Sequence, residues 1–185
     1  MKHFAKLTAI ILLGLTACST PRSYFTVATR NTVENNNIPV EKLQFYIDKD
    51  VELKRELSSK DAKVSSGKII FENGKYLNII LLKAGTLGVC TQANRNSLDI
   101  SFENGEDRNI NFAVPDRAGP ATVYSLSPEK WVNSYNSGEI GKITYDGEVY
   151  FMRFTGARPK LMIKKSGSDK YEVNKRVMNG RKIDR

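Results

Sequence analysis

Four carboxylates close to a predicted turn are the first residues whose types and spacing suggest chemistry. Glu103, Glu106, Asp107 and Asp116 flank that turn and the loop after the next strand. Two such carboxylates can serve as the acid and base of a glycosidase, and several carboxylate oxygens can bind Ca²⁺. Acidic residues next to turns are common on soluble surfaces, however, and no D-x-D-x-D spacing is present. We therefore predict neither catalysis nor a metal site here.

Three short motifs with serine and lysine suggest a different chemistry. They are Ser127-Pro-Glu-Lys130, Ser134-Tyr-Asn136 and Lys165-Ser-Gly167. In this order they resemble the active site of penicillin-binding proteins and β-lactamases, where a serine acts as nucleophile without a histidine. That family has a much longer chain and takes its second motif from a separate element. Ser127 is also explained as a helix N-cap, so we do not expect this activity.

The first eighteen residues have the pattern of an export signal. Lys2 and Lys6 precede an apolar run that is too short to span a bilayer, and the run ends in Leu15-Thr16-Ala17-Cys18. This ending resembles the lipobox of bacterial lipoproteins. The resemblance implies removal of residues 1–17 and acylation of Cys18 by fatty acids such as palmitate. Ser19 in place of Asp, with no acidic run after it, implies the periplasmic face of the outer membrane.

The histidine count excludes several classes of enzyme. His3 is the only histidine, and it lies in the segment that the resemblance predicts to be removed. The mature chain would then lack a Ser-His-Asp or Cys-His arrangement. Histidine zinc sites and H-E-x-x-H metalloproteases would be excluded as well. We expect a protein that is not an enzyme and that uses no cofactor or metal.

Cys90 is the only cysteine besides Cys18, so an acylated Cys18 leaves no pair for an intramolecular disulfide. Cys90 lies in an apolar stretch, and free cysteines are among the most buried residue types. We predict a core position for its thiol.

Positive charge is concentrated at the carboxyl end of the chain. Residues 18–157 contain as many acidic as basic residues, whereas residues 158–185 contain ten basic and three acidic ones. Such a basic tail is attracted to anionic surfaces, although it can equally be a solvated end of the chain. An envelope location makes nucleic acid an improbable partner. The candidate contact residues are Arg158, Lys160, Lys164, Lys165, Lys175, Arg176, Arg181 and Lys182.

The pattern after the export signal predicts a tether and one domain. Residues 18–39 are polar and lack a sustained apolar period, so we expect a lipidated flexible tether in which Tyr24–Val27 could form a docking strand. Residues 40–185 have the length of a single β-rich domain that ends in the basic tail.

Three turn signals between alternating apolar runs predict an all-β fold. Asn73-Gly74, Asn104-Gly105 and Asp146-Gly147 each separate two runs rich in β-branched and aromatic residues. Such dipeptides are typical of two-residue hairpins because a type I′ turn needs two positive φ angles. We predict an antiparallel β-sandwich or barrel-like domain.

One short helix is also predicted. Ser127 would be its N-cap, Pro128 its first residue and Gly138 its C-cap. An aromatic face including Trp131 would then pack over an open end of the sheets. Aromatic residues are concentrated in this third of the chain, and the alternation in 149–154 predicts that about half of those side chains point inward.

Two classes of function remain. The first is a non-catalytic structural or accessory subunit of an envelope complex, anchored by lipid and docked through an exposed strand edge or the basic tail. The second is a ligand-binding lipoprotein that captures glycan, cell-wall fragment or lipid in a β cleft. A long exposed edge or flat patch favours the first, and an apolar or aromatic pocket favours the second.

Overall fold

The protein contains two antiparallel sheets and one α-helix in the residues that its computed structural model describes, which confirms the predicted all-β class. These residues are 21–57, 68–72, 75–133, 138–154 and 156–165.

The first sheet has seven strands. Numbered in chain order and given in spatial order, they are β1 (Arg22–Tyr24), β13 (Leu161–Lys164), β2 (Gln44–Ile47), β6 (Leu87–Ala93), β7 (Ser97–Ser101), β8 (Asn109–Ala113) and β9 (Ser125–Leu126). The second sheet has six strands. Their order is β10 (Lys130–Asn133), β11 (Glu139–Tyr145), β12 (Glu148–Phe154), β3 (Val51–Leu57), β5 (Lys75–Leu82) and β4 (Lys68–Glu72).

The seven-stranded sheet curls until its ends approach each other. Isolated antiparallel bridges join Thr26 to Val123 and Ser125 to Lys160, so the segment around β9 lies beside the ends of β1 and β13. The main chain supports this closure, because the Leu161 N–H of β13 donates to the carbonyl of Tyr124, just before β9, at 3.0 Å. The curled sheet thereby satisfies backbone groups that an open edge would leave unpaired.

One hydrophobic core contains residues from both sheets. Alternating side chains of β3, β11 and β12 enter it, as do those of β7 and β8 in the other sheet. Tyr150, Met152 and Phe154 are buried while Val149 and Phe151 are exposed, which confirms the predicted alternation. Cys90 is buried as predicted.

The three predicted hairpins are present. β4 pairs with β5 from Glu72 opposite Lys75, although Asn73-Gly74 itself lies outside the described residues. β7 pairs with β8 as predicted, but their connection is the seven-residue loop 102–108 and not a two-residue turn, since Gly105 has a positive φ and Asn104 does not. Between β11 and β12, Asp146 has φ 54° and Gly147 has φ 72°, the two positive angles that a type I′ turn requires.

The predicted tether is wrong for residues 21–39. β1 pairs with β13, and it is followed by helix α1 (Val27–Asn35) and a 3₁₀ turn (Val40–Lys42). The Thr26 hydroxyl caps α1 by accepting from the Thr29 N–H at 3.1 Å. Phe25 is fully buried, so this segment is part of the domain core. The predicted docking strand was placed slightly late, because β1 ends at Tyr24.

The helix predicted to begin at Ser127 is also wrong, since β10 occupies part of that segment. Pairing with β11 explains the difference. The Glu129 N–H donates to the Lys142 carbonyl at 3.0 Å, and the Glu129 carboxylate accepts from the Thr144 N–H at 2.7 Å. A helix of this length is marginally stable by itself, whereas strand pairing satisfies the same backbone groups. Residues 134–137 lie outside the described residues.

None of the helices in the described part of the chain is long and apolar enough to cross a membrane.

Candidate binding surface

Two of the predicted basic-tail residues take part in the folded structure. The Arg158 guanidinium forms two hydrogen bonds of 2.9 Å to the Glu139 carboxylate and lies 4.0 Å above the Trp131 ring. These bonds hold the pKa of Glu139 below its usual value. The Lys160 ammonium lies 5.2 Å from the centre of the Tyr24 ring. Arg158 is therefore paired with an acidic residue, whereas Lys160 has no ion pair with any described residue.

Of the other predicted tail residues, the structure describes two, and both lie at the exposed end of β13. Lys164 ends β13 opposite Arg22, and Lys165 follows it, both exposed. Lys160 and Lys164 share the outward side of β13, where Arg22 lies opposite Lys164, whereas Arg158 lies apart from them beside Glu139 and Trp131. The tail residues Lys175, Arg176, Arg181 and Lys182, and the predicted lipidation residue Cys18, lie outside the described residues.

The carboxylates that suggested chemistry have structural partners or stand apart. Glu103 accepts a hydrogen bond of 2.8 Å from the Tyr145 hydroxyl and lies 3.5 Å from Arg108, which also binds Asp146 at 3.0 Å. Burial and the bond to Glu103 raise the pKa of Tyr145 well above its usual value. This cluster ties the loop before β8 to the β11–β12 turn, so its role is structural.

The remaining carboxylates do not complete a site. Asp116 accepts from the Asn96 amide at 2.8 Å, the Asp107 carbonyl accepts from the Asp146 N–H at 2.9 Å, and Glu106 is exposed. In the described ranges, no group of three or more histidine, cysteine or acidic side chains could hold a metal ion.

The serine–lysine motifs are only partly described. The Ser127 N–H donates to the Asn111 carbonyl at 2.9 Å, and Lys130 begins strand β10 with its side chain exposed. Ser134, Asn136 and Gly167 lie outside the described residues.

Burial raises the pKa of the Cys90 thiol to about 11, so this thiol is a protonated core group and not a nucleophile at neutral pH.

The outward face of the six-stranded sheet combines apolar and basic side chains. Successive strand partners form one line across it, since Lys130 lies opposite Lys142, Lys142 opposite Phe151, and Phe151 opposite Lys54. Directly opposed residues of antiparallel strands share a face. The Phe151 ring is therefore placed between lysine side chains of two neighbouring strands.

A second line of partners extends this surface. Val132 lies opposite Ile140, and Ile140 opposite Arg153. Phe151 is 43 % exposed, Val132 40 % and Val149 37 %, so three apolar side chains of this surface face solvent. We call the outward side chains of this surface the sheet face; they are Glu52, Lys54, Glu56, Lys75, Leu77, Lys130, Val132, Ile140, Lys142, Val149, Phe151 and Arg153. All of them except Lys130 and Lys142 border an open groove of about 1200 Å³.

Charge is distributed unevenly over the sheet face. On β3, Lys54 pairs with Glu52 at 2.8 Å, and Glu56 pairs with Lys75 of β5 at 2.9 Å. In contrast, Lys130, Lys142 and Arg153 have no ion pair with any described residue. The β10–β12 half of the sheet face is therefore apolar at its centre and cationic around it.

No protein-family model, curated protein or solved structure matches this chain. Function is therefore inferred from the geometry of the described residues.

The sheet face has the composition of a contact surface, with apolar side chains next to charged ones. Aromatic and arginine side chains are enriched at protein interfaces, where an apolar centre is surrounded by a polar rim. Single exposed apolar residues need no explanation, whereas several on one face mark an interaction site. Sequence alternation indicated that Phe151 and Val149 share one side of their strand, without saying which side is outward. It gave no sign that Lys54 and Lys142 would lie on either side of Phe151.

Proposed function

We propose that this protein is a lipid-anchored, non-catalytic accessory subunit of a bacterial envelope complex, and that its sheet face docks an acidic protein partner. The lipobox resemblance of residues 15–18 supports the anchor and the location on the periplasmic face of the outer membrane. The sheet face supports the docking role, and Phe151 within its cationic surround is the observation that carries the proposal.

Phe151 is the expected anchor of the interface. An aromatic side chain at the centre of an interface commonly costs about 2 kcal/mol or more when truncated, which weakens binding by roughly thirtyfold. The unpaired cations Lys130, Lys142 and Arg153 would mainly accelerate association with an acidic surface, because rim charges act on encounter more than on the lifetime of the complex. Binding should therefore weaken as salt rises.

The test is affinity purification of the full chain from gently solubilised native membranes. We expect a stoichiometric partner that is lost with Cys18→Ala and strongly reduced with Phe151→Ala or Lys142→Glu. Leu87→Ala is the matched control, because Leu87 is 57 % exposed on the seven-stranded sheet and should leave the yield unchanged.

Two results would contradict the proposal. A solitary protein in every preparation would exclude a stable accessory subunit. A partner whose yield is equal for Phe151→Ala, Lys142→Glu and the Leu87→Ala control would show that the complex forms through another surface.

A further inference from the structure

A polar cleft lies beside helix α1, in the part of the domain formed by the seven-stranded sheet. One wall is α1, and the others are the loops that follow β6 and β8 together with Tyr124. We call it the Arg30 cleft. It has a volume of about 360 Å³, and the polar side chains that matter for its chemistry are Arg30, Glu34, Arg95, Asn96, Asp116 and Tyr124.

The Arg30 guanidinium is a buried charge held in a fixed position. Arg30 is only 9 % exposed. Its Nε donates to the Glu34 carboxylate at 2.7 Å, and its Nη1 donates to the Tyr124 hydroxyl at 3.0 Å and to the Arg95 carbonyl at 3.2 Å. Burial opposes the charge, but the bonds to Tyr124 and Glu34 outweigh it and raise the pKa of Arg30. The guanidinium is thus always charged and cannot swing away.

One end of this guanidinium has no protein partner. Nη2 donates no hydrogen bond to any described residue, and it is not among the buried atoms that lack a partner, so its N–H groups are open to solvent or to a ligand. A preorganised guanidinium with free N–H groups is suited to a carboxylate or phosphate oxygen. The side chain of Arg95, from the neighbouring loop, likewise has no ion pair among the described residues and supplies a second cation.

The acidic side chains of the Arg30 cleft distinguish between these two anions. Glu34 and Asp116 balance Arg30 and Arg95, so the four formal charges cancel. A phosphate dianion would meet two carboxylates with no net positive field. A carboxylate monoanion can bind Arg30 while an ammonium or amide on the same molecule meets Asp116, which Asn96 orients through a hydrogen bond of 2.8 Å.

From this arrangement we propose that the Arg30 cleft binds a free amino acid or short peptide through its terminal carboxylate. The carboxylate accepts from Arg30 Nη2 and from Arg95, and the amino or amide end of the ligand faces Asp116. Val27 and Val114 are among the residues that line the cleft and supply apolar contacts for the ligand. The cleft is separate from the sheet face, so this binding does not depend on the docking role.

The test is saturation-transfer NMR on the full chain in detergent micelles. The probes are a pool of the common amino acids and dipeptides with free carboxylates, the same dipeptides as carboxyl-terminal amides, and inorganic phosphate. We expect signals from free-carboxylate probes, binding weakened about tenfold or more by amidation, and no competition from phosphate at equal concentration.

Two variants locate the binding. Arg30→Met should weaken it about tenfold or more. Because Arg30 is buried and its loss can affect folding, Arg95→Met provides a second test, since that side chain has no ion pair to lose and should weaken binding about threefold or more. Arg22→Met is the control, because its guanidinium lies over Tyr46 and away from the cleft.

Each other outcome overturns the proposal. Silence from every free-carboxylate probe at about 10 mM would exclude the site at any useful affinity. Equal binding of acids and amides would remove the role of Arg30. Displacement of the peptides by phosphate would assign the cleft to a phosphate ligand, and unchanged affinity in Arg95→Met with folded protein would place the ligand elsewhere.

Discussion

Phe25→Ala should destabilise the domain strongly, because the structure makes the segment before α1 part of the core. The Phe25 ring is fully buried, lies perpendicular to Phe45 with centroids 5.1 Å apart, and lies 5.4 Å from Tyr124. Its backbone bonds to Leu161 and Tyr124 fix the chain, so neighbouring side chains cannot collapse fully into the space. Truncating a buried phenylalanine costs about 3–5 kcal/mol. For a domain of this size, that lowers Tm by roughly 6–20 °C.

The assay is thermal and urea unfolding of a chain that begins at Ser19, with circular dichroism as the signal that monitors unfolding. Tyr24→Ala is the matched control, because Tyr24 is the preceding residue but is 47 % exposed. Its loss should change stability by less than about 1 kcal/mol. A flexible tether predicts small and equal effects for both variants. Equal effects would therefore refute the placement of β1 and α1 in the core.

Two other substitutions test local features of the fold. Gly147→Ala should destabilise the protein by about 1 kcal/mol, because Gly147 has φ 72° and a left-handed conformation is costly for alanine. Gly119→Ala is the control, because Gly119 does not have such a φ. At both positions the new methyl group would have no other atom within 4 Å. Urea midpoints that move equally would contradict this. Cys90 should react with iodoacetamide at pH 8 about tenfold or more slowly in the native protein than in denaturant, because its pKa is raised to about 11 by burial. The pKa of the thiol is near 9.0 in the unfolded chain, so the contribution of Cys90 to stability is intact below pH 9 and is lost as the pH rises toward 11. Between pH 9 and 11, the free energy of unfolding should therefore fall less steeply with pH in Cys90→Ala than in the original protein.

Local turn chemistry explains why the hairpins were predictable from the sequence. Asp146-Gly147 sets two positive φ angles within two residues, and the flanking alternation then fixes which side chains enter the core. The helices were not predictable in the same way. The start signal at Ser127 was overridden by pairing of β10 with β11, and α1 is built from threonine and asparagine, which favour helices weakly. Its buried side is limited to Arg30 and Val33, too few residues for an apolar period.

The candidate sites depend on contacts that no local pattern contains. Arg30 and Tyr124 are 94 positions apart, yet their side chains are joined by a hydrogen bond. Likewise, Phe151 lies next to Lys54 because β12 pairs with β3, a strand from the first third of the chain. Alternation reports that a side chain points outward, but strand order decides which side chains surround it. For the basic tail, the sequence contained the charge of Arg158 but no sign that it would bond to Glu139 and lie over Trp131.

The two surfaces are separable because they use different elements. The sheet face belongs to the six-stranded sheet, whereas the Arg30 cleft lies between α1 and two loops of the seven-stranded sheet. Phe151→Ala removes an exposed side chain on the first surface and touches no group that lines the second. Peptide binding should therefore survive Phe151→Ala, and partner capture should survive Arg95→Met. If either variant abolished both activities, the two sheets would have to be coupled through the shared core, and neither surface could be assigned its role independently.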